Sequence, residues 1–302
     1  MADQQNLRVQ GPIVWGDMDQ AALDDAYDQQ VWAENFTRMA KRRNALADAA
    51  RERVAAPLRF AYGPSEIEGL DVYRTDRPDA PILAFIHGGA WRTGAAKDFT
   101  YFAEPFTKSG AHLAVLDFTS VDDAGGDLTV MVRQVRSAFA WLYSNARDKF
   151  GGDGNRLFLA SHSSGAHIGG NVLTTDWAKD FGLPVDVVKG GVVCSGMYDL
   201  APVRLSKRSK YVNFTDAMEQ GLSSQRHLDR LQCPIVVGYG TTESPEFQRQ
   251  ARDFAAAVEA AGKPVKLIRA EHYNHFEIVE TFANPYGIIG REIFALMGLT
   301  PG

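Results

Sequence analysis

The chain has 302 residues, 45% of them hydrophobic, with 32 lysines and arginines against 37 aspartates and glutamates. That composition excludes disordered and fibrous classes, and the net charge of −5 excludes the clustered positive surface that nucleic acid demands. The two locally basic stretches, KRR at 41–43 and KRSK at 207–210, are short and read as solvated surface.

The opening residues, MADQQNLRVQGP, contain neither the basic region nor the apolar stretch of a secretory signal. No run of about 18 apolar residues follows, so no membrane partner and a cytoplasmic location are expected. Residues 17–54 are charged, Ala-rich and free of Pro and Gly, and Tyr27, Trp32 and Phe36 recur at helical spacing. They predict one or two helices in an N-terminal extension, residues 1–56. Its aromatic stripe either folds back on its own domain or packs on a second copy, making a homodimer one expectation. Next, apolar runs at 58–62 and 70–73 flank Gly63-Pro64, which predicts two strands joined by a turn.

From there the chain alternates. Apolar runs at 82–86, 112–118, 156–160, 187–194, 234–239 and 265–270 are rich in Val, Ile and Leu without in/out alternation, as in parallel strands covered on both faces. Between them, Leu128, Met131, Val135, Ala138, Leu142 and Ala146 form one apolar stripe on a helix ending before Gly151-Gly152. Phe247, Ala251, Phe254, Val258 and Ala261 form another, with Ser244 as N-cap, Pro245 in the first position and Gly262 past the end. Cys194 and Cys233 sit at the edges of apolar runs, where a thiol packs as a small hydrophobe, so neither a disulfide nor a zinc site is expected. The fold class is therefore α/β: one domain, residues 57–302, with a mostly parallel doubly wound sheet, helices on both faces and a short polar cap at about 201–231.

In such sheets chemistry sits just beyond the carboxyl ends of the strands. After 156–160 comes Ser161-His162-Ser163-Ser164-Gly165-Ala166-His167, a strand, a tight turn of small residues and a helix start. This is the shape of a nucleophile elbow, with helix N–H groups aimed at any developing negative charge. A serine is a poor nucleophile at neutral pH and needs a base, and a third group to orient that base. Candidate acids are Glu243 and Glu246 after 234–239 and Asp199 after 187–194; candidate bases are His272 and His275 after 265–270. After 82–86 stands His87-Gly88-Gly89-Ala90-Trp91, whose paired glycines let backbone N–H groups face a substrate oxygen. Each such donor is typically worth about 3 kcal/mol in the transition state.

These motifs, over residues 58–298, resemble those of the α/β-hydrolase superfamily, and within it the kynurenine formamidase (arylformamidase)-like and hormone-sensitive-lipase-like esterase group. HGGAW resembles the group's oxyanion motif, SHSSGAH its GHSAGAH elbow, NHF at 274–276 its catalytic-histidine loop, ESPEF at 243–247 the DSPEF of formamidase-like members, and CSGMYDLAPVRLS from Cys194 its strand-to-cap junction. The resemblance implies Ser163 as nucleophile, Glu243 as acid and His275 as base, with an oxyanion hole from the N–H groups of Gly88, Gly89 and Ser164. The order Ser, acid, His is that of the superfamily. Two positions depart from the pattern. Ser161 replaces a glycine, and an extra side chain in a packed spot costs roughly 1–3 kcal/mol unless accommodated. Glu243 replaces Asp and is one methylene longer, which a shifted loop absorbs, since triads are defined by geometry and role.

His162 and His167 read as packing residues, and His87 as orienting the Gly-Gly loop. Trp91, Tyr101 and Tyr198 are candidate substrate-binding residues, with core as the other reading of each. No H-E-x-x-H occurs and the seven histidines are scattered, so neither metal nor cofactor is expected. The expected function is a serine hydrolase that cleaves a small carboxylic ester or an activated amide, such as an aryl formamide, through an acyl-enzyme. The two departures tilt the reading toward ester. The alternatives are a kynurenine formamidase proper, and a non-catalytic ligand-binding member of the fold, which Ser161 and Glu243 motivate. The short polar cap predicts an open pocket and not a lipid tunnel.

Overall fold

Each of the six apolar runs is a strand of one eight-stranded sheet in the computed structural model, which describes residues 11–302. The signal-like features sought at the start of the chain fall largely on residues 1–10, outside the described residues. The described chain opens with a hairpin, β1 (Ile13–Trp15) and β2 (Met18–Asp19), followed by α1 (Gln20–Ala26) and α2 (Phe36–Arg51). Helix is thus interrupted between Ala26 and Phe36, and Tyr27 and Trp32 lie in turns instead of on a continuous stripe. Asp28 accepts a hydrogen bond from the Gln30 N–H at 3.1 Å, closing a local turn, and tertiary contacts described below hold the segment out of helix.

The rest follows in chain order: β3 (Leu58–Ala61), β4 (Gly69–Tyr73), β5 (Ala80–Ile86), α3 (Ala103–Lys108), β6 (His112–Leu116), α4 (Leu128–Phe150), β7 (Gly152–His162), α5 (Ser164–Leu173), α6 (Trp177–Phe181) and β8 (Val188–Cys194). Two short cap helices, α7 (Ala201–Leu205) and α8 (Asp216–Leu222), lead to β9 (Ile235–Gly240), α9 (Pro245–Ala260), β10 (Val265–Ala270), α10 (His275–Ile278) and α11 (Gly290–Met297). The end signals read from the sequence, Gly151 after α4 and Ser244-Pro245 at the start of α9, act as predicted, and Asp127 adds a cap that was not among them. Asp127 caps α4 and Gly151 closes it in the left-handed conformation, while the Ser244 hydroxyl accepts the Phe247 N–H ahead of Pro245 in α9.

The strand order is β10-β9-β8-β7-β5-β6-β4-β3, parallel except that β4 runs against both its neighbours. Alternate residues of β5 feed opposite cores. Ile82, Ala84 and Ile86 pack with α4 and α5, whereas Leu83 and Phe85 pack with Phe102, Phe106 and Phe294. Burial on both faces is why the central strands show no polarity alternation. β10 departs from this: as an edge strand it exposes Lys266, Leu267 and Arg269, charges that discourage pairing with another sheet. The register sets Ile86 beside Ser161, His162 beside Cys194 and Gly240 beside Ala270, so that five strand ends open on one rim. The N-terminal elements belong to the same cores: Leu23, Ala26 and Tyr27 pack with Phe247 and Ala251, and Ala47 and Ala50 with the second face. Among the described residues no helix is long and apolar enough to cross a membrane.

One buried histidine sets an acid limit on the fold. His167 is fully buried, its Nδ1 accepts from Trp91 Nε1 at 3.2 Å, and its Nε2–H donates to the Leu222 carbonyl at 3.1 Å. Trp91 can only donate, so the ring is neutral, and burial pulls its pKa down to about 4. The unfolded chain takes up that proton near pH 6.5 and the folded chain does not, so this stability is intact above pH 6.5 and drains away as pH falls toward 4. Urea titrations should show a loss on the order of 2 kcal/mol from this residue between pH 6.5 and 5. A His167→Gln variant should show a correspondingly flatter dependence.

Candidate active site

The turn between β7 and α5 carries Ser163 at φ 59°, ψ −130°, a region that costs a non-glycine residue about 1–3 kcal/mol. The strain is held by Ser163 N–H donating to the Cys194 carbonyl at 3.0 Å and by the Ala166 and His167 N–H groups returning to the Ser163 carbonyl. Only glycine fits at 165, where a Cβ would lie 2.3 Å from both the Ile86 and His87 carbonyl oxygens. At 88 a Cβ would lie 2.7 Å from the Ser163 Cβ.

Ser161, the residue in place of the motif glycine, is fully buried and its hydroxyl donates to the Val192 carbonyl at 3.3 Å. The space it needs comes from Gly169, where a Cβ would stand 2.4 Å from the Ser161 Oγ. Gly169→Ala should therefore destabilise the protein by about 1–3 kcal/mol despite alanine's better helix propensity. Adding Ser161→Gly should reverse the loss, and additive effects in a double-mutant cycle would refute the coupling.

The structure brings Ser163, His275 and Glu243 together. Ser163 Oγ lies 2.8 Å from His275 Nε2, and His275 Nδ1 lies 3.3 Å from Glu243 Oε2. The Glu243 carboxylate is buried, and its other oxygen accepts from the Ser195 hydroxyl at 2.5 Å and the Gly240 N–H at 2.9 Å. His275 is the first residue of α10, whose N-cap Asn274 accepts from the Phe276 and Glu277 N–H groups. The competing candidates are engaged elsewhere. His272 is exposed, Glu246 pairs with Arg249 and accepts from the Tyr27 hydroxyl, and Asp199 pairs with Arg226. His162 lies with its ring 4.6 Å from that of His275, and burial with the adjacent histidine holds its pKa well below the ordinary value.

The predicted oxyanion loop lies beside this trio. Gly89 has φ +127°, and the Arg92 and Thr93 N–H groups both donate to its carbonyl. The Ser164 hydroxyl accepts from the Trp91 N–H at 3.0 Å, tying the loop to the first residue of α5. His87 sits flat against Phe118 and donates from Nδ1 to the Gly88 carbonyl at 2.8 Å; burial lowers its pKa. Among the described residues no acceptor engages the N–H groups of Gly88 and Gly89, and both glycines line a cavity of about 760 Å³ that also contains Ser163 and His275.

The cavity wall corrects two expectations. Trp91, Tyr101 and Tyr198 are buried and do not line it: Trp91 serves His167, Tyr101 packs on Phe102, and Tyr198 stacks on Phe254 at 4.1 Å. The aromatic wall is Tyr27, Phe36, Phe99, Tyr211 and Phe276 instead. The basic stretches are not simply solvated surface either, because Arg43 of KRR and Lys207, Arg208 and Lys210 of KRSK face the cavity, and Arg208 is only 6% exposed.

Sequence reasoning also missed the supports. Ser195 stands at the end of β8 and was findable by the strand-end rule. The interrupted N-terminal segment offered no local signal, yet Gln29 donates to the Ser244 hydroxyl at 2.7 Å, Asn35 donates to Glu277 and accepts from Asn274, and Phe36 packs on Phe276.

Comparison with known proteins places the chain. The BD-FAE family model matches residues 70–183. The kynurenine formamidase of Danio rerio is 29% identical over 78% of this chain and 80% of its own, and that of Salmo salar 27% identical over 94% and 98%. A Silicibacter sp. protein provisionally assigned as a thioesterase shares the fold, with a TM-score of 0.75 at 20% identity over 91% of this chain and 98% of that one. The chain has the α/β-hydrolase fold, and its sequence is similar to those of kynurenine formamidases and esterases.

Proposed function

We propose that this hydrolase cleaves a small carboxylic ester or an activated aryl amide by way of a serine acyl-enzyme. The observation that carries the reading is the unbroken chain Ser163 Oγ to His275 Nε2 at 2.8 Å and His275 Nδ1 to Glu243 at 3.3 Å, with Ser163 and His275 lining a substrate-sized cavity. Ser163 attacks the carbonyl carbon while its proton passes to His275 Nε2; Glu243 holds the Nδ1–H and offsets the charge that forms on the ring. The Gly88, Gly89 and Ser164 N–H groups receive the oxyanion. Collapse of the tetrahedral intermediate expels the alcohol or amine, which takes the proton from His275. Water then repeats the sequence and releases the acid. The aromatic wall, with Phe36 and Phe276 at 4.7 Å centroid separation, suits an aryl leaving group, as do the Danio rerio and Salmo salar relatives named kynurenine formamidases. The two buried free cysteines fit a cytoplasmic setting.

The test is labelling with a fluorophosphonate followed by peptide mapping, alongside turnover of phenyl acetate and of N-formylkynurenine. One adduct on Ser163 is expected. A folded protein without that adduct overturns the reading in favour of a ligand-binding role, and the ratio of the two specificity constants separates esterase from formamidase.

A further inference from the structure

The loop that carries Gly88 and Gly89 is fastened at Trp91. Ala90 and Trp91 both lie in the left-handed region, at φ 55° and 64°, and consecutive non-glycine residues stay there only when their surroundings hold them. The holding contacts converge on the Trp91 residue, which is buried. Its N–H donates to the Ser164 hydroxyl at 3.0 Å, its carbonyl accepts from the Val121 N–H at 2.7 Å, and its indole Nε1–H donates to His167 Nδ1 at 3.2 Å. The indole also meets the His167 ring edge-on, at 5.3 Å and 84°, and lies under the Arg208 guanidinium at 5.2 Å. Ser164 and His167 are the first and fourth residues of α5, so they share one face of the helix that has Ser163 as its N-cap.

The oxyanion hole draws its donors from two separate pieces of chain. The Gly88 and Gly89 N–H groups come from the loop after β5 and the Ser164 N–H comes from α5, so they converge only if loop and helix are locked together, to within about 0.5 Å. The tautomer of His167 decides whether that lock exists. Its Nε2 lies 3.1 Å from the Leu222 carbonyl at the end of α8, and a carbonyl only accepts, so the ring proton sits on Nε2 and Nδ1 offers its lone pair to the indole. Asn171, one turn further along α5, donates to the same carbonyl at 2.9 Å and to the His167 carbonyl at 3.0 Å, fixing both. Resting on the hydrolase reading above, we propose that His167 is a positioning residue for catalysis. Through Trp91 it sets the Gly88 and Gly89 N–H groups against the Ser164 N–H, and the end of α8 chooses the tautomer that does so. His167 is fully buried and is not part of the cavity wall, so its effect falls on the transition state and not on substrate binding.

The experiment uses two substitutions at this position. His167→Leu removes the acceptor while Asn171 still satisfies the Leu222 carbonyl. His167→Gln supplies both halves of the contact, an amide oxygen for the indole and an NH₂ for the carbonyl. With phenyl acetate, His167→Leu should lower kcat about 10–100-fold and change KM less than about threefold, and His167→Gln should stay within about threefold of the wild type. Benzyl trifluoromethyl ketone, isosteric with that ester, reads the hole without turnover. Ser163 Oγ adds to its carbonyl carbon, the serine proton passes to His275 Nε2, and the carbonyl oxygen becomes the oxyanion. Its affinity should fall in His167→Leu by the same factor as kcat/KM, whereas the affinity of benzyl methyl ketone, which binds without adduct formation, should not change. Trp91→Phe cuts the same hydrogen bond from the other side and carries the test if His167→Leu does not fold; the double variant should lose little more than either single one. Losses that multiply, a His167→Gln variant as slow as His167→Leu, or undiminished affinity for the trifluoromethyl ketone overturns the proposal. Wild-type turnover matched by folded His167→Leu rejects the role of His167 alone. A wild type with no ester turnover and no preference for the trifluoromethyl over the methyl ketone rejects the hydrolase reading, and this proposal with it.

Discussion

Ser163→Ala is expected to lower kcat on an aryl acetate by roughly 10⁵-fold or more, the scale on which removal of a triad serine acts. Alanine keeps the Cβ against which Gly88 packs and the same positive φ, so the change removes one oxygen from a site otherwise left in place. His275→Ala should cost about as much, and the double variant little more than either single one, because serine and histidine act as one unit. Residual turnover then reports the Gly88, Gly89 and Ser164 N–H groups, which retain about 10³–10⁴-fold over water in related machinery. Steady-state kinetics with an active-site titration supplies the numbers. A loss below about a hundredfold would move the nucleophile to another residue.

The second large effect concerns Glu243→Gln, for which a fall in kcat of about 10⁴-fold is expected. One carboxylate oxygen accepts from both the Ser195 hydroxyl and the Gly240 N–H. In glutamine that place must be kept by the amide oxygen, which turns the NH₂ toward His275 Nδ1. A donor there forces Nδ1 to be the acceptor and puts the ring proton on Nε2, where it faces Ser163 Oγ and blocks proton transfer. The chemistry fails by tautomer, with little geometric change. Glu243→Asp retains the charge but is one methylene short of a His275 contact already at 3.3 Å, so a smaller loss of about 10–100-fold is expected. Single-turnover acylation rates for both variants check the order, and equal losses would indicate that the reach of the side chain, and not its charge, decides the rate.

Strand ends were legible because two-face burial leaves a strong compositional trace and the motifs sit at fixed offsets from it. Ser163 and short sets of partners, His272 or His275 and Glu243, Glu246 or Asp199, could be picked out this way, the family resemblance favoured His275 and Glu243, and the register of β5, β7, β9 and β10 places their loops on one rim. What could not be read depends on contacts across long sequence separations. Nothing local distinguishes Arg208 in KRSK from a surface arginine; its burial is decided by Trp91 below it and Tyr27 beside it. Trp91, Tyr101 and Tyr198 failed as pocket residues for the converse reason, since an aromatic side chain in the segments that follow the strands satisfies a core equally well. Tolerance of Ser161 rests on Gly169, whose missing side chain acquires meaning only once β7 and α5 are packed together.

The clasp between the N-terminal segment and the catalytic loops also sets an order of events during synthesis. The contacts of Gln29 with Ser244, Tyr27 with Glu246 and Asn274 with Asn35 span 215, 219 and 239 residues. At translation speeds of about 5–20 residues per second, the first partner waits roughly 10–50 s for the second to emerge. The pocket wall formed by Phe36, Met39 and Arg43 therefore stays open until α9 and the loop before α10 have left the ribosome. Nascent chains halted before α9 contain Ser163 but lack both His275 and the residues that clasp the N-terminal segment, so the site assembles only after β10 and α10 have been made.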